Sequence, residues 1–185
     1  MIKLFLVLKK FMEKFITELE SERISELEAY LTAAGLKDTK LTESEKFALE
    51  NLNSCIWQKF LLKDLFGEST RGKRLKSDDR INGNLPFVTA GETDEGISAY
   101  IGNKVEIFSK NTITIDMFGS AKYRNYDYGA DDHISVVHTE KILKFAAIFI
   151  TSAIHKSSHN GQFHYGRNFY PKDADSLKIS LPTKD

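Results

Sequence analysis

Apolar residues recur at Leu8, Met12, Phe15, Ile16 and Leu19, then at Ile24, Leu27, Leu31 and Ala34, and no proline or glycine interrupts the chain between Leu4 and Ala34. This is the spacing of one helical face, so a long helix is predicted over that stretch. The stripe changes phase across Glu20-Ser21-Glu22-Arg23, which predicts a bend or a second partner for the later half. A continuous helix of this length would span roughly 45 Å at ~1.5 Å per residue, more than a small core requires. Gly35 is the predicted C-cap. Thr42-Glu43-Ser44-Glu45 has the form of a capping box, opening a short helix to about Asn53 with Phe47, Leu49 and Leu52 as its apolar positions.

From Trp57 onward the period changes. β-Branched and aromatic residues alternate between the turn signals Asn82-Gly83-Asn84, Gly91-Glu92, Gly102-Asn103 and Gly119-Ser120. Strands are predicted at Phe87 to Ala90, Val105 to Phe108, Thr112 to Met117, His133 to Val137 and Leu177 to Leu181. One helix, Lys141 to about Ser157, should interrupt them and lay Ile142, Phe145, Ala146, Phe149, Ile150, Ala153 and Ile154 on the sheet. A polar and aromatic loop from Ser158 to Pro171 precedes the last strand. The expected fold is α+β: a long, coiled-coil-like N-terminal helix within residues 1–55, then a compact mixed β-sheet domain with a packed helix over 56–185.

With 185 residues, 41% hydrophobic, 11% aromatic and 28% charged, the composition excludes disordered and collagen-like states. Lys plus Arg and Asp plus Glu are each 26, so attraction to a polyanion must come from local segregation of charge. The single cysteine, Cys55, cannot form an internal disulfide and is expected to be a small buried residue rather than a nucleophile. The apolar run within Met1 to Lys10 is short, is followed by lysines and lacks a small-residue cleavage site, and no stretch approaches the ~20 apolar residues of a membrane span. A cytoplasmic protein without membrane contact is expected.

Charge does segregate. Arg71-Gly72-Lys73-Arg74-Leu75-Lys76 places four cations in six residues, with a glycine that permits close backbone approach, as phosphate contacts require. A solvated surface turn explains this loop about as well. From Lys141 to Lys172 there is no acidic residue, while Lys141, Lys144, Lys156, Arg167 and Lys172 are basic. Inside that window His159-Asn160-Gly161-Gln162-Phe163-His164-Tyr165-Gly166-Arg167-Asn168-Phe169-Tyr170 mixes amides, a guanidinium and rings. These groups can pair with base edges, contact phosphate and stack. The plainer alternative is a loop whose aromatics cover the edge of the core. Lys122-Tyr123-Arg124-Asn125-Tyr126-Asp127-Tyr128 interleaves cations and tyrosines, which suits either a nucleic-acid backbone or cross-strand packing.

Catalytic alternatives are weaker. Asp116, Asp131, Asp132 and His133 could form a metal site for a nuclease or other hydrolase, and His155 with His159 has the spacing of a zinc pair without the glutamate of a zinc protease motif. Asn84-Leu85-Pro86-Phe87 is one residue from an adenine-methyltransferase loop, but no Gly-rich cofactor loop accompanies it. Walker, nucleophile-elbow and dinucleotide motifs are absent from the sequence. A helical module with a protein-binding β-domain is a further alternative.

Several segments taken in order resemble the target-recognition domain of DNA-specificity subunits in type I and BcgI-like restriction-modification systems. They are Trp57-Gln58-Lys59-Phe60, Leu62 to Phe66, Gly72 to Leu75, Leu85 to Glu92, Gly96 to Ile101, Asn111 to Gly119, Gly129 to His133 and Pro171 through Leu177 to Pro182. Phe11 to Glu20 resembles the spacer helix that follows one recognition domain and sets its distance from the next. The resemblance implies a sequence-specific reader of double-stranded DNA that neither cuts nor methylates. Its implied partners are DNA adenine methyltransferase and restriction subunits or modules, and a second recognition domain or a homodimer formed through the N-terminal helix. It implies a helical spacer over 1–55 and a recognition domain over 56–185, as a half-subunit or a piece of a longer chain, with no cofactor and no metal. Thr89 to Glu92 and Asp116 to Gly119 would then be scaffold. The candidate DNA contacts are Arg71, Lys73, Arg74, Lys76, Lys122, Arg124, Lys156, His159, Asn160, Gln162, His164, Tyr165, Arg167, Asn168 and Tyr170. Substituting Arg167 or Gln162 should lower discrimination between sites, and substituting Lys73 should weaken all DNA alike.

Overall fold

The computed structural model describes residues 2–33 and 40–183 and divides into two compact units, Met1–Asn53 and Ser54–Asp185. The first unit is helical. Helix α1 (Ile2–Ala33) runs unbroken through the Glu20–Arg23 phase change. Thr17 and Thr32 fold their hydroxyls back onto the carbonyls of Glu13 and Glu28, and Lys14–Glu18 and Arg23–Glu26 form pairs along its surface. Helix α2 (Glu43–Asn51) starts at the expected box: the Glu45 N–H donates to the Thr42 hydroxyl, and the Glu45 carboxylate accepts from the Thr42 N–H at 2.7 Å. That closes two of the donors a helix start leaves open. The predicted cap Gly35 lies outside the described residues. Among the described residues no helix is long and apolar enough to cross a membrane.

The second unit carries nine strands and three helices among its described residues: β1 (Ile56–Leu61), α3 (Leu62–Phe66), β2 (Thr70–Arg71), β3 (Asn82–Val88), β4 (Ile97–Ile101), β5 (Thr112–Asp116), β6 (Ala121–Arg124), β7 (Gly129–Ala130), β8 (Ile134–Val137), α4 (Lys144–Ser158), α5 (Pro171–Asp175) and β9 (Lys178–Thr183). An antiparallel sheet has the order β2-β8-β5-β6. A mixed sheet has the order β4-β3-β7, with β3 and β7 parallel, and β1 pairs with β9 in an antiparallel ribbon.

Strands β5 and β8 are buried on both faces. Ile113 and Ile115 point into a cluster with Leu62, Val137, Ile150, Ile154, Phe169 and Ile179. Ile134 and Val136 enter a second cluster with Val88, Phe108, Tyr128 and Ala130. Side chains alternate across a strand, so burial on both faces needs Thr112, Thr114 and Ser135 inside as well, and Thr112 is satisfied by the Ser109 carbonyl and the Tyr128 hydroxyl.

The sequence expectations need correction at several places. Val105 to Phe108 is not a strand: only Phe108 pairs, exchanging backbone bonds with Tyr128 at 2.8 and 3.0 Å. Strands β1, β2, β4, β6 and β7 lie outside the expected strands. Helix α4 keeps part of the expected face, with Ile150 and Ile154 buried and Ile142 and Ala153 packed against the core, but the face is rotated toward Ala147 and Ser158, leaving Ala146, Phe149 and Phe145, the last 75% exposed, in solvent. Its first turns are apolar nearly all round, so periodicity alone leaves the facing side open, and the small side chains of Ala147 and Ser158 decide which side can approach the sheet. Asn111 takes φ 63° and staples the β8–α4 connection, its amide donating to the Thr139, Glu140 and Ile142 carbonyls.

Candidate nucleic-acid interface

The Arg71–Lys76 loop leaves β2 and is clamped by its backbone. Gly72 N–H donates to the Ile134 carbonyl at 3.1 Å and Lys73 N–H to Ala130 at 2.9 Å, and Leu75 N–H donates to the Asp131 carboxylate. A Cβ at Gly72 would run into the carbonyl oxygens of Ala130 and Asp131. The close approach that this glycine allows is therefore to the chain itself, not to a phosphate. With the backbone fixed, the side chains fan outward. Arg74 and Lys76 are exposed and have no ion pair among the described residues, and Lys73 reaches Glu106 only at 3.5 Å with most of its side chain in solvent.

Arg71 joins this loop to the second candidate segment. Its Nε donates to the Asp132 carbonyl, its guanidinium lies 3.7 Å from the Asp132 carboxylate, and it stacks 5.1 Å from the Tyr170 ring centroid. Two segments that the sequence separates widely are thus brought to one place.

The Ser158–Tyr170 segment is ordered by its own polar groups. Gln162 donates to the Ser157 carbonyl at 3.1 Å, and Asn160 donates to the Lys156 carbonyl at 2.9 Å. Both cap the C-terminus of α4, where helix carbonyls lack partners, so their amides are partly spent on structure. His164 and Arg167 exchange backbone bonds across a tight hairpin. Tyr165, 84% exposed, stands at its tip with its ring edge-on to Phe118. Arg167 stacks over Phe163 and is gripped by Asp173 through bonds of 2.5 and 3.2 Å. Burial works to raise the Asp173 carboxyl, but the Arg167 hydrogen bonds, the Tyr170 N–H and the Arg167 charge outweigh it and hold it below its ordinary value. Phe169 anchors the segment in the core, Asn168 is partly buried beside it, and Tyr170 is partly buried under Arg71.

Lys122 is mostly enclosed. It donates to Glu92 at 3.2 Å and to the Ser120 hydroxyl at 3.0 Å. The Ser120 hydroxyl, then Lys122 and the charge of His159, hold Glu92 below its ordinary value against its own burial. Arg124, expected among the DNA contacts, is instead buried: it is 1% exposed, donates to Thr114 and Tyr126 at 2.9 Å each, and lies over Tyr128. It sits on the inner face of β6, where a cation between two hydroxyls replaces an apolar contact. Lys156 is exposed at the end of α4. His155 and His159 stack at 4.7 Å, but each Nδ1 engages backbone, at Ala121 N–H and the Phe118 carbonyl.

The metal set assembles only in part. Ligand atoms of Asp131, Asp132 and His133 lie within 4.8 Å of one another, with His133 Nδ1 3.2 and 3.6 Å from the two carboxylates. Asp131 already accepts from the Leu75 N–H and the Arg71 guanidinium lies 3.7 Å from Asp132, and Asp116 is not in the cluster: one of its carboxylate oxygens accepts from Phe118 and Ser120 N–H and closes the β5–β6 turn. What the sequence does not disclose is that Asp132, Asp173 and Glu92 restrain the candidate cations. No local spacing marks them, because two of their three partners come from distant parts of the chain.

Residues 56–185 match the family model described as the type I restriction modification DNA specificity domain. This chain belongs to that family. The specificity domain also resembles the S subunit of a type I restriction-modification system from M. genitalium, with a TM-score of 0.51 and 19% identity over 74% of this chain and 37% of the other. A structure described as showing complex assembly and conformational transition of the type I R-M system matches with a TM-score of 0.53 and 17% identity, covering 89% of this chain and 45% of that one. At these identities the likeness is one of fold, and the chain spans less than half the length of either neighbour. No curated protein matches the chain.

Proposed function

We propose that this specificity domain reads double-stranded DNA in a sequence-specific way and directs partner adenine-methyltransferase and restriction subunits, performing no catalysis itself. The observation that carries this reading is the Arg71–Tyr170 stack, which joins the cationic Arg71–Lys76 loop to the acid-free Ser158–Tyr170 segment on one scaffold. Arg74, Lys76 and Lys73 project from a fixed backbone and suit phosphate contacts. His164 and Tyr165, at the exposed hairpin tip, offer the polar edge and ring that base readout uses. In this reading unit Met1–Asn53 is the spacer that pairs with a second copy or a second recognition domain, and the protein works in the cytoplasm.

The test is to retain duplexes from a randomised library on the purified chain near physiological salt and sequence them. Enrichment of a short motif is expected. Arg74→Ala and Lys76→Ala should weaken all duplexes and lower the salt slope by about 1 each, whereas Tyr165→Ala should flatten the enrichment. Retention without enrichment would remove sequence-specific reading by this domain. Metal-dependent cleavage lost in Asp131→Ala would instead favour a hydrolase built on Asp131, Asp132 and His133.

A further inference from the structure

The β1–β9 ribbon has a core face and an outer face. Ile179 is buried on one side, whereas Trp57 and Lys59, two residues apart, share the other with Lys178 and Ser180, since Lys59 pairs with Ser180 in the register. Helix α4 contributes Phe149 and Lys156 along this outer face, and the two elements bound a groove of about 700 Å³. Three features define its chemistry. Lys59, Lys156 and Lys178 converge from three elements, and none has an ion pair among the described residues. Among the described residues no carboxylate lines the groove, and three serines do. Trp57 and Phe149, 46% and 42% exposed, lie 6.4 Å apart at 30° and form one open aromatic platform.

We infer that this groove is a second DNA site, holding the phosphodiester backbone of the duplex outside the base pairs that the loops read. The inference rests on the DNA-reading function proposed above. Unpaired ammonium groups along a groove follow a chain of phosphates, and aromatic faces pack against sugars and bases without regard to sequence. A docked protein helix would need an unbroken apolar seam, which the lysines and serines interrupt. The groove also adjoins the recognition segment directly: its wall residues Lys156 and Ser157 are those whose carbonyls Asn160 and Gln162 cap.

Trp57 is the only tryptophan in the chain, so its emission reports on the groove alone. Titrating the whole chain with a mixed-sequence duplex, while following Trp57 emission and the anisotropy of a labelled duplex, should shift both signals together. The Lys59→Ala/Lys178→Ala double variant, at exposed positions and checked for an unchanged urea midpoint, should lower the slope of log affinity against log salt by about 2 and leave the preference between sites intact. Anisotropy that rises while Trp57 stays silent, or an unchanged slope in the variant, would overturn the groove and spare the DNA reader. A Trp57 response to single strands or to a polyglutamate peptide but not to duplex would overturn it in favour of those ligands. No duplex binding by either signal would remove both the groove and the reader.

Discussion

Helices α1 and α4 carry apolar side chains at the same helical spacing. On α1, Met12, Phe15, Ile16, Leu19, Ile24, Leu27 and Tyr30 are all exposed, whereas on α4 Ala147, Ile150 and Ile154 are buried. The difference lies in what each unit supplies opposite the stripe. Helix α4 meets Ile113, Ile115, Ala121 and Ile179, which are already fixed by the strand ladders. Among the described residues of Met1–Asn53 none is buried, so α1 is held by its backbone bonds and surface pairs. Such pairs contribute about 0.2–0.5 kcal/mol each, against roughly 1.5–3 kcal/mol for one fully buried aliphatic side chain. Periodicity therefore specifies a helix and a face, and burial requires a surface that periodicity does not describe.

The strongest way to break the contrast is to cut into the surface that α4 meets. Ile113→Ala, at a site with no exposure in the middle of the β2-β8-β5-β6 sheet, should destabilise the second unit by about 2–5 kcal/mol. Urea unfolding followed by Trp57 emission reads this directly. A loss under about 1 kcal/mol would mean that the sheet is not what holds α4.

The next effect separates buried from exposed cations. Arg124→Ala leaves Thr114 and Tyr126 without their donor and opens space beside Tyr128, and should cost about 3 kcal/mol. Arg74→Ala, at an exposed position without an ion pair among the described residues, should leave the midpoint within about 0.5 kcal/mol and act on DNA affinity alone. Equal midpoints for the two variants would contradict a structural role for Arg124.

These two arginines also show how far the sequence can be read. Both stand in cationic runs, and nothing within a few residues tells them apart. Their difference comes from register: Arg124 pairs with Thr112 in the β5–β6 ladder and turns inward. Thr112 to Asp116 and Ile134 to Val137 were legible because they are rich in β-branched residues, Thr112, Ile113, Thr114 and Ile115 in one and Ile134, Val136 and Val137 in the other. Ile56–Leu61 was not, since its partner Lys178–Thr183 lies at the far end of the chain and its sequence mixes Gln58 and Lys59 with Trp57 and Phe60. The cations of the candidate interface were legible as composition. The carboxylates that restrain them were not, because Asp132 and Glu92 meet Arg71 and Lys122 only through the fold.

A smaller effect tests one of those restraints. Asp173→Asn should loosen the Arg167 hairpin and cost about 1 kcal/mol through the weakened bond to Tyr170 N–H, since the exposed Arg167 end is screened by solvent. The Asp173 carboxyl is held below its ordinary 3.8, so its contribution is complete above that pH and is lost as pH falls through the lower folded value. The parent should therefore lose more stability than the variant on acidification below 3.8, and parallel acid limbs would show that the Asp173 charge adds nothing to the fold.

The smallest expected effect probes the exposed stripe itself. Leu27 is 56% exposed on α1, so Leu27→Ala removes no buried contact and gains slightly in helix propensity. The urea midpoint of the second unit should move by less than about 0.5 kcal/mol, and helical circular dichroism of dilute protein should hold or rise. If the stripe pairs with a second copy, as the spacer role proposes, the same substitution should lower helicity or thermal stability only as protein concentration rises, because only an assembled helix loses a contact there. A concentration-independent loss would place Leu27 against its own chain and end the contrast between the two helices.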